Sequence, residues 1–296
     1  MGVTVIGCGY TGQRLAARCR RRGRDVIALV RSSASRQTLD ALGVAAYRLD
    51  LDEEVAGGLP ASFTSDRQMI YMVPPGADGV TDDRMTRFLA AIRGRPRCLI
   101  YLSTTGVYGD TGGASVNEDT PPNPGSDRAR RRLDAERQAI RWAHAADVAV
   151  RILRVPGIYG PGRLPLDRLS RGGPVVAPDP GRPGNRIHVD DLVRVSLAAC
   201  NYDGPLEIFN VGDGDPTDAG SFNELLAREA GLAPPATRSL EEMLERASPM
   251  GREFLSESRR VDVSRMREAL GFEPRYPDPL SGIRASLDEL ASDHRA

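Results

Sequence analysis

Lysine is absent from the sequence, since all 40 basic residues among its 296 residues are arginines. Any mechanism that depends on a lysine amine is therefore excluded for this chain. Arginine keeps the positive charge, but its guanidinium group stays protonated at every working pH and cannot act as a general acid or base. The bias itself is typical of a genome that favours arginine codons.

Cysteine is sparse, and its spacing excludes two further classes of protein. Cys8, Cys19, Cys98 and Cys200 lie far apart and form no CxxC pair. This spacing argues against a zinc site and against a disulfide framework, and it fits a reducing, cytoplasmic compartment. We expect no bound metal.

Long apolar runs and an excess of either charge are missing as well. Runs such as VIALV and CLIYL are much shorter than the roughly 20 residues that span a membrane, and no signal peptide is evident. The formal net charge is zero with a pI near 6.9. Bulk charge therefore indicates neither nucleic acid nor a membrane as a partner, which leaves a small-molecule substrate.

The first half of the sequence alternates apolar runs with helical patterns, which is typical of a parallel sheet with crossover helices. Strands are predicted over 3–7, 25–30, 44–49, 68–73, 98–103 and 148–154, and helices over 11–22, 82–93 and 126–145. The strand runs are continuously apolar, as expected when helices cover both faces of a sheet. The texture changes after residue 155, where proline and glycine become frequent.

The segment VTVIGCGYTG contains Gly7, Gly9 and Gly12 between a predicted strand and a predicted helix. In a dinucleotide-binding loop of this spacing the first glycine permits a tight turn, the second admits a pyrophosphate and the third allows close helix packing. The helix that begins at Thr11 would then present its N–H groups to the phosphates, and Tyr10 and Thr11 are expected to contact the cofactor. The loop predicts a bound dinucleotide.

The residue that follows the second strand indicates which dinucleotide. A site specific for NAD usually carries an acidic residue there, whereas this chain has Arg31 followed by Ser32. A guanidinium group can bind a 2′-phosphate, so NADP is favoured and NAD is the alternative. A solvated surface arginine would give the same sequence.

A series of further segments resembles one family. VIGCGYTG, YLSTTGVYGD, RVPGIYGPGR, RIHVDDL and FNVGDG occur in the order found in extended short-chain dehydrogenase/reductases, the NAD-dependent epimerase/dehydratase family. The resemblance implies an α/β fold: a Rossmann-type doubly wound parallel sheet with a smaller C-terminal α/β substrate lobe. The expected domains are 1–157 plus 188–211 for NAD(P) and 158–187 plus 212–296 for substrate.

The resemblance also implies roles for individual residues. Thr104 matches the catalytic Ser or Thr of the family and would hold a substrate oxygen. Further cofactor contacts are implied for Asp50, Leu51, Val73, Pro74, Ser103, Val155 and Pro156, and substrate contacts for Thr105, Gly157, Tyr159, Arg186 and His188. A homodimer through the helices near 82–93 and 126–145 is implied only by the resemblance.

The catalytic tyrosine and lysine of the family are missing. Their positions fall on Arg128 and Arg132, and the residues between Tyr108 and Tyr159 include no tyrosine. The pattern resembles an atypical branch that keeps the glycine loop and lacks this pair. Arg132 could take over the charge and ribose-binding role of the lysine.

A simpler interpretation of the arginine run is a solvated helix face. The i, i+4 spacing would then form the ion pairs Asp127–Arg131, Arg130–Asp134 and Arg132–Glu136. Arg132 is the residue we expect to be an exception to this interpretation.

Two functions remain open from the sequence. The first is an NAD(P)-dependent oxidoreductase or epimerase of the atypical type, acting on a small sugar-like or carbonyl substrate, in which Tyr108, another tyrosine or a water moves the proton. The second is a catalytically silent NAD(P)-binding sensor or regulatory protein, which would also keep the loop and lose the proton-transfer pair.

Overall fold

The computed structural model describes residues 2–205 and 207–293. The strands are β1 (Gly2–Ile6), β2 (Val26–Val30), β3 (Ala45–Arg48), β4 (Arg67–Tyr71), β5 (Cys98–Thr104), β6 (Ser115–Val116), β7 (Ala149–Val155), β8 (Gly157–Tyr159), β9 (Val175–Val176), β10 (Arg186–His188), β11 (Ile208–Asn210), β12 (Thr237–Arg238) and β13 (Arg260–Val261).

The helices follow the same order along the chain. They are α1 (Tyr10–Arg21), α2 (Ser33–Ala41), α3 (Ala61–Thr64), α4 (Asp83–Ala91), α5 (Asp127–Ala146), α6 (Leu166–Ser170), α7 (Val189–Cys200), α8 (Ala219–Glu229), α9 (Leu240–Arg246), α10 (Pro249–Ser256), α11 (Ser264–Leu270) and α12 (Pro279–Asp293). A short 3-10 helix spans Thr105–Tyr108.

A seven-stranded sheet of the described residues organises the first part of the chain, with strand order β11-β7-β5-β4-β1-β2-β3. The pairs from β3 to β5 are parallel, with Val5 beside Ala28 and Ile70 in register. Strands β2 and β4 are buried along their whole length because helices cover both faces. This is the doubly wound Rossmann-type order, so the predicted fold class is confirmed.

Helix α5 packs against β5 through a stripe of small residues. Ala135, Ala139 and Ala143 recur every four residues and are fully buried. They join a core cluster that includes Tyr71 and Tyr101 from the sheet. The small alanine side chains let this helix pack closely on the sheet. The same packing brings Arg131 and Glu136 of α5 into the interior.

Contacts divide the chain into two compact units. Unit 1 comprises Met1–Val107, Asp127–Arg154 and Val193–Phe209, and unit 2 comprises Tyr108–Ser126, Val155–Leu192 and Asn210–Ala296, in each case as far as the structure describes them. Segment 108–126 thus groups with the later part of the chain, whereas the sequence assigned it to the first domain. The assignment of cofactor and substrate to separate domains stays a prediction.

Unit 2 contains three short parallel strand pairs, β8 with β10, β9 with β12 and β6 with β13. Its core includes Phe222 and Leu226 of α8 and Ile283 of α12. The segment after residue 155 that is rich in proline and glycine therefore contains regular elements, namely β8, α6 and β9.

The described residues form neither a membrane-spanning helix nor a metal-binding cluster. No helix within 2–205 or 207–293 is both long enough and apolar enough to cross a bilayer. Over those ranges no cluster of three or more His, Cys, Asp or Glu side chains could hold a metal ion. All four cysteines are free thiols and are buried.

Candidate active site

The glycine loop between β1 and α1 turns where the sequence predicted. Gly7 has a φ of +82°, and a β-carbon there would lie 2.8 Å from the amide nitrogen of Val73 at the end of β4. Only glycine tolerates both conditions without strain. Val73 is half-buried and lies directly beside the loop. A cofactor contact is the role implied for it.

The other two glycines of the loop differ in their surroundings, and Gly9 is the one that leaves room for a ligand in front of α1. A β-carbon at Gly9 would meet no described atom within 4 Å, whereas one at Gly12 would lie 3.2 Å from the Cys8 sulfur. No side chain caps the first turn of α1, and that turn, which begins with Tyr10 and the buried Thr11, carries no acidic residue. Open space, uncapped N–H groups and the positive end of the helix dipole suit a pyrophosphate.

The end of β2 presents an exposed arginine. The Arg31 side chain is 65% exposed, and its Nη1 lies 3.1 Å from Asp52 Oδ2. The hydroxyl of Ser32 accepts a hydrogen bond from the amide of Ser35 and caps α2. Asp52 was missed by the sequence analysis, because nothing local in the sequence links it to Arg31.

The residues after β3 lie at the same end of the sheet. Asp50 Oδ1 accepts a hydrogen bond from the amide of Asp52 at 3.1 Å. Leu51 is buried, and its carbonyl oxygen accepts a hydrogen bond from Arg87 at 2.9 Å. These contacts fix the segment in which the family resemblance implies cofactor contacts for Asp50 and Leu51.

Pro74 follows β4 and is exposed. Arg84 of α4 donates from Nη1 to the carbonyl oxygens of Pro74 at 3.0 Å and Pro75 at 3.2 Å. The same guanidinium group donates to both oxygens of Asp52, at 2.6 and 2.7 Å. Arg84, which the sequence analysis did not single out, therefore connects the ends of β3 and β4.

Ser103 is buried beside an ion pair in the core. Its hydroxyl donates to Glu136 Oε1, and Arg154 Nη2 lies 2.8 Å from Glu136 Oε2. The side chains of Glu136 and Arg154 are only 2% and 3% exposed. In this arrangement the Ser103 hydroxyl serves the ion pair, and its implied cofactor contact stays a prediction.

Thr104 is better placed to meet a ligand. It is half-buried, and its hydroxyl oxygen accepts a hydrogen bond from the amide of Gly106 at 3.1 Å. A hydroxyl that accepts can still donate its own proton. Thr105, by contrast, is buried.

The arginine run of α5 is only partly a solvated face. Arg128 and Arg130 are exposed, whereas Arg131 is buried and donates to the carbonyl oxygen of Gly79. The three i, i+4 pairs expected from the sequence are wrong, since Arg130 instead pairs with Asp127 at 2.6 Å. Arg131 and Glu136, which belong to two of the expected pairs, are buried because α5 packs on the sheet.

Arg132 occupies the lysine position and is drawn into that interior. Its Nη1 donates to Tyr101 Oη at 3.1 Å and to the carbonyl oxygen of Leu102 at 3.0 Å. Burial raises the pKa of Tyr101 to about 12, although the nearby guanidinium group opposes the rise. Arg132 is thus a fixed cation at the end of β5, which agrees with its predicted exception to the solvated face.

Unit 2 holds the other residues that the sequence singled out. Tyr108 is buried, and its hydroxyl donates to Asn210 Oδ1 at 2.8 Å. The amide group of Asn210 donates in turn to the carbonyl oxygen of Asp262 at 3.1 Å. The hydroxyl of Tyr108 is thus part of a structural network.

His188 is enclosed by partners in unit 2. Its Nδ1 accepts from the amide of Asp190 at 3.2 Å, so we assign the proton to Nε2, which lies 3.2 Å from Ser286 Oγ. The rings of Tyr276 and Tyr159 lie 4.2 and 5.3 Å from its own. This environment suits a packing histidine.

Tyr159 and Gly157 are also packed rather than open. Tyr159 is buried, and a β-carbon at Gly282 would lie 2.0 Å from its hydroxyl oxygen, so the hydroxyl faces α12. Burial raises the pKa of Tyr159. Gly157 opens β8 and pairs with Arg186 of β10.

Arg186 borders a small cavity in unit 2. Its guanidinium carbon lies 4.3 Å from the centre of the Phe222 ring, and it donates to the carbonyl oxygens of Thr217 and Asp218. The cavity measures about 10 Å³, the size of one water molecule, and Pro156 also lines it. Val155, just before Pro156, is buried.

Asp213 in this cavity was not identified from the sequence. It is 2% exposed, its Oδ1 accepts from the amide of Asp215 at 3.0 Å, and its Oδ2 has no partner among the described residues. Burial raises the pKa of Asp213 to about 7. The signal available in the sequence was an aspartate between glycines directly after a buried strand.

Comparisons with known proteins agree with the geometry of the loop. A model described as the NAD dependent epimerase/dehydratase family matches residues 83–212. The chain is 28% identical to the protein YeeZ of Escherichia coli (strain K12) over 287 residues, which cover 94% of this chain and 97% of that protein. It is 26% identical over 306 residues to a dTDP-6-deoxy-L-talose 4-dehydrogenase (NAD(P)(+)) of Kitasatospora kifunensis, with 92% and 91% covered.

A solved structure is similar over the whole chain. A functionally unknown conserved protein from Silicibacter pomeroyi DSS superimposes with a TM-score of 0.78 at 30% identity, covering 100% of this chain and 99% of that one. The shared fold therefore extends through both units.

Proposed function

Because this chain belongs to the NAD-dependent epimerase/dehydratase family, we propose that it binds a nicotinamide dinucleotide and acts as an oxidoreductase or epimerase on a small sugar-like or carbonyl substrate. The observation that carries this proposal is the glycine loop, in which Gly7, Gly9 and Gly12 each meet the geometric need of a pyrophosphate site. The name of the Kitasatospora relative, a sugar dehydrogenase that uses NAD(P)(+), supports the same substrate and cofactor class.

We propose NADP as the preferred cofactor, with NAD as the alternative. Arg31 is exposed at the end of β2, and its exposed ion pair with Asp52 contributes at most about 1 kcal/mol, so it can be exchanged for a 2′-phosphate. An Arg31→Ala variant should therefore bind NADPH at least about tenfold more weakly and NADH unchanged. Equal effects on both nucleotides would contradict the preference.

The bound cofactor would supply or accept the hydride. The Thr104 hydroxyl would donate a hydrogen bond to the reacting oxygen of the substrate, while the amide of Gly106 keeps the hydroxyl oriented. The Arg132 guanidinium, fixed by Tyr101 and Leu102, would stabilise negative charge near the nicotinamide ribose.

A proton must also be moved, and Arg132 cannot move it because it stays protonated. The Tyr108 hydroxyl is committed to Asn210 in unit 2. A water bound by Thr104 is therefore our candidate for the transfer, in place of the missing tyrosine. The role of Tyr108 as a proton donor becomes the second choice.

A catalytically silent NAD(P)-binding sensor remains the alternative function. The feature that favours it is helix α5, where an exposed arginine, Arg128, stands at the position of the family's tyrosine. Such a protein would bind the dinucleotide and report its redox state to a partner.

The two functions can be separated by turnover. Wild-type protein is incubated with NADPH deuterated at C4 and a panel of sugar and carbonyl compounds, and transfer of deuterium is followed by mass spectrometry. Thr104→Val should lower kcat by about 10²–10³-fold without loss of NADPH binding. Thr38→Val is a matched control, since Thr38 bonds only its own helix, at Ala34. Tight binding with no transfer to any compound would favour the sensor.

A further inference from the structure

Three charged side chains meet at the ends of β2 and β3 in unit 1. Asp52 receives two hydrogen bonds from Arg84, through Nε at 2.6 Å and Nη2 at 2.7 Å, and one from Arg31 at 3.1 Å. The carboxylate is thus shared between two guanidinium groups from different elements of the fold. Charge-assisted bonds in this forked geometry are the stronger kind.

The two arginines differ in how firmly they are held. The Arg84 side chain is 16% exposed, and it also donates to the carbonyl oxygens of Pro74 and Pro75. Arg31 is 65% exposed and contacts Asp52 through a single nitrogen. Arg84 is therefore the firmly held partner of Asp52, and Arg31 is the weakly held one.

This difference has a consequence for an anion that approaches Arg31. The pKa of Asp52 is lowered first by its hydrogen bond to Arg84 and further by Arg31, so the carboxylate stays ionised. Because Arg84 already balances that charge, Arg31 can leave Asp52 without stranding it. Without Arg84, the unbalanced carboxylate would compete for Arg31 and repel an incoming phosphate.

We infer that Arg84 is a second determinant of cofactor specificity: by neutralising Asp52 it frees Arg31 to bind the 2′-phosphate of NADP. This inference rests on the proposed function, which supplies the dinucleotide. Arg84 acts here through Asp52 and is a positioning residue. Asp52 is an internal competitor of the 2′-phosphate.

The test measures dissociation constants for NADPH and NADH by fluorescence titration, with 2′,5′-ADP and 5′-AMP as probes of the 2′-phosphate alone. The variants are Arg84→Gln, Arg84→Lys, Asp52→Asn and the double variant Arg84→Gln/Asp52→Asn. Arg36→Gln is the matched control, because it removes an exposed arginine from a carboxylate pair on α2, Arg36–Asp40 at 3.7 Å. Circular dichroism checks that each variant is folded.

We expect Arg84→Gln to weaken NADPH and 2′,5′-ADP about three- to tenfold, with NADH and 5′-AMP within about twofold of wild type. Arg84→Lys, which keeps the charge, should retain most of the preference. In the Asp52→Asn background the loss should disappear, because no competing carboxylate remains. Asp52→Asn alone should bind NADPH at least as tightly as wild type.

The inference would be overturned by equal losses for NADPH and NADH in Arg84→Gln, by the same loss in the Asp52→Asn background, or by a weaker NADPH complex in Asp52→Asn alone. The last result would make Asp52 an anchor that orients Arg31. If wild-type protein binds neither dinucleotide, the proposed function fails as well. Binding of NADH with no effect of any variant would overturn only the role of Arg84.

Discussion

Replacing Asp213 with asparagine should change how stability depends on pH, by an amount that follows from burial of this carboxyl group. Its pKa is raised from the ordinary 3.8 to about 7 in the folded protein. Between these values the unfolded chain releases a proton that the folded protein retains. Each increase of one pH unit therefore lowers the free energy of unfolding by about 1.4 kcal/mol, which amounts to about 4 kcal/mol between pH 3.8 and about pH 7.

The sign distinguishes Asp213 from most carboxyl groups. Its stabilising contribution is complete below about pH 4, falls as pH rises and is lost above about pH 7. Carboxyl groups with lowered pKa values, such as Asp52 and Asp110, change stability in the opposite direction at more acid pH. Those contributions are common to wild type and variant, so they cancel in the difference.

Asparagine keeps the oxygen that accepts from Asp215 and stays neutral at every pH. The Asp213→Asn variant should therefore gain stability relative to wild type by about 1.4 kcal/mol per pH unit between about pH 4 and pH 7. Urea unfolding followed by circular dichroism at several pH values measures this difference. Asp167→Asn is the control, because the side chain of Asp167 is 93% exposed. A difference that stays constant across this range would refute the reasoning.

Three further predictions concern other parts of the site. Gly7→Ala should weaken dinucleotide binding at least about tenfold in a titration, because the residue has a φ of +82° and a β-carbon would press on neighbouring backbone; unchanged binding would contradict the role of the loop. Glu136→Ala should lower the free energy of unfolding by about 3–5 kcal/mol, since Arg154 would be buried without its carboxylate, and a urea midpoint close to that of wild type would argue against a buried pair. Tyr108→Phe should lower the free energy of unfolding by about 1–3 kcal/mol by leaving Asn210 Oδ1 without its donor, with turnover nearly unchanged; a 100-fold loss of turnover would identify Tyr108 as the proton donor.

The central strands of the sheet could be predicted from the sequence because they are buried on both faces. VIALV and CLIYL have no polar alternation, and they form the buried strands β2 and β5. The 20 residues of α5 were predicted to within one residue at each end. Such patterns are local, and each one is readable from a single stretch of chain.

The partners of charged residues could not be predicted in the same way. Local spacing paired Arg132 with Glu136, whereas Glu136 faces the core and its partner Arg154 comes from β7. Arg84 and Asp52 are 32 residues apart in the chain and meet only because β3 ends beside the start of α4. Such pairs depend on how helices pack on the sheet, which a periodicity of 3.6 residues does not encode.

Because all four cysteines are buried, the rate at which their thiols are modified reports local opening of the structure. Cys8 lies inside the glycine loop at 1% exposure, and burial raises its pKa to about 12. A thiol reagent can modify Cys8 only when that loop opens, so the rate of labelling counts opening events. A dinucleotide bound to the loop would slow the labelling of Cys8. The labelling of Cys98 and Cys200, which lie in other elements of unit 1, would continue to report opening elsewhere.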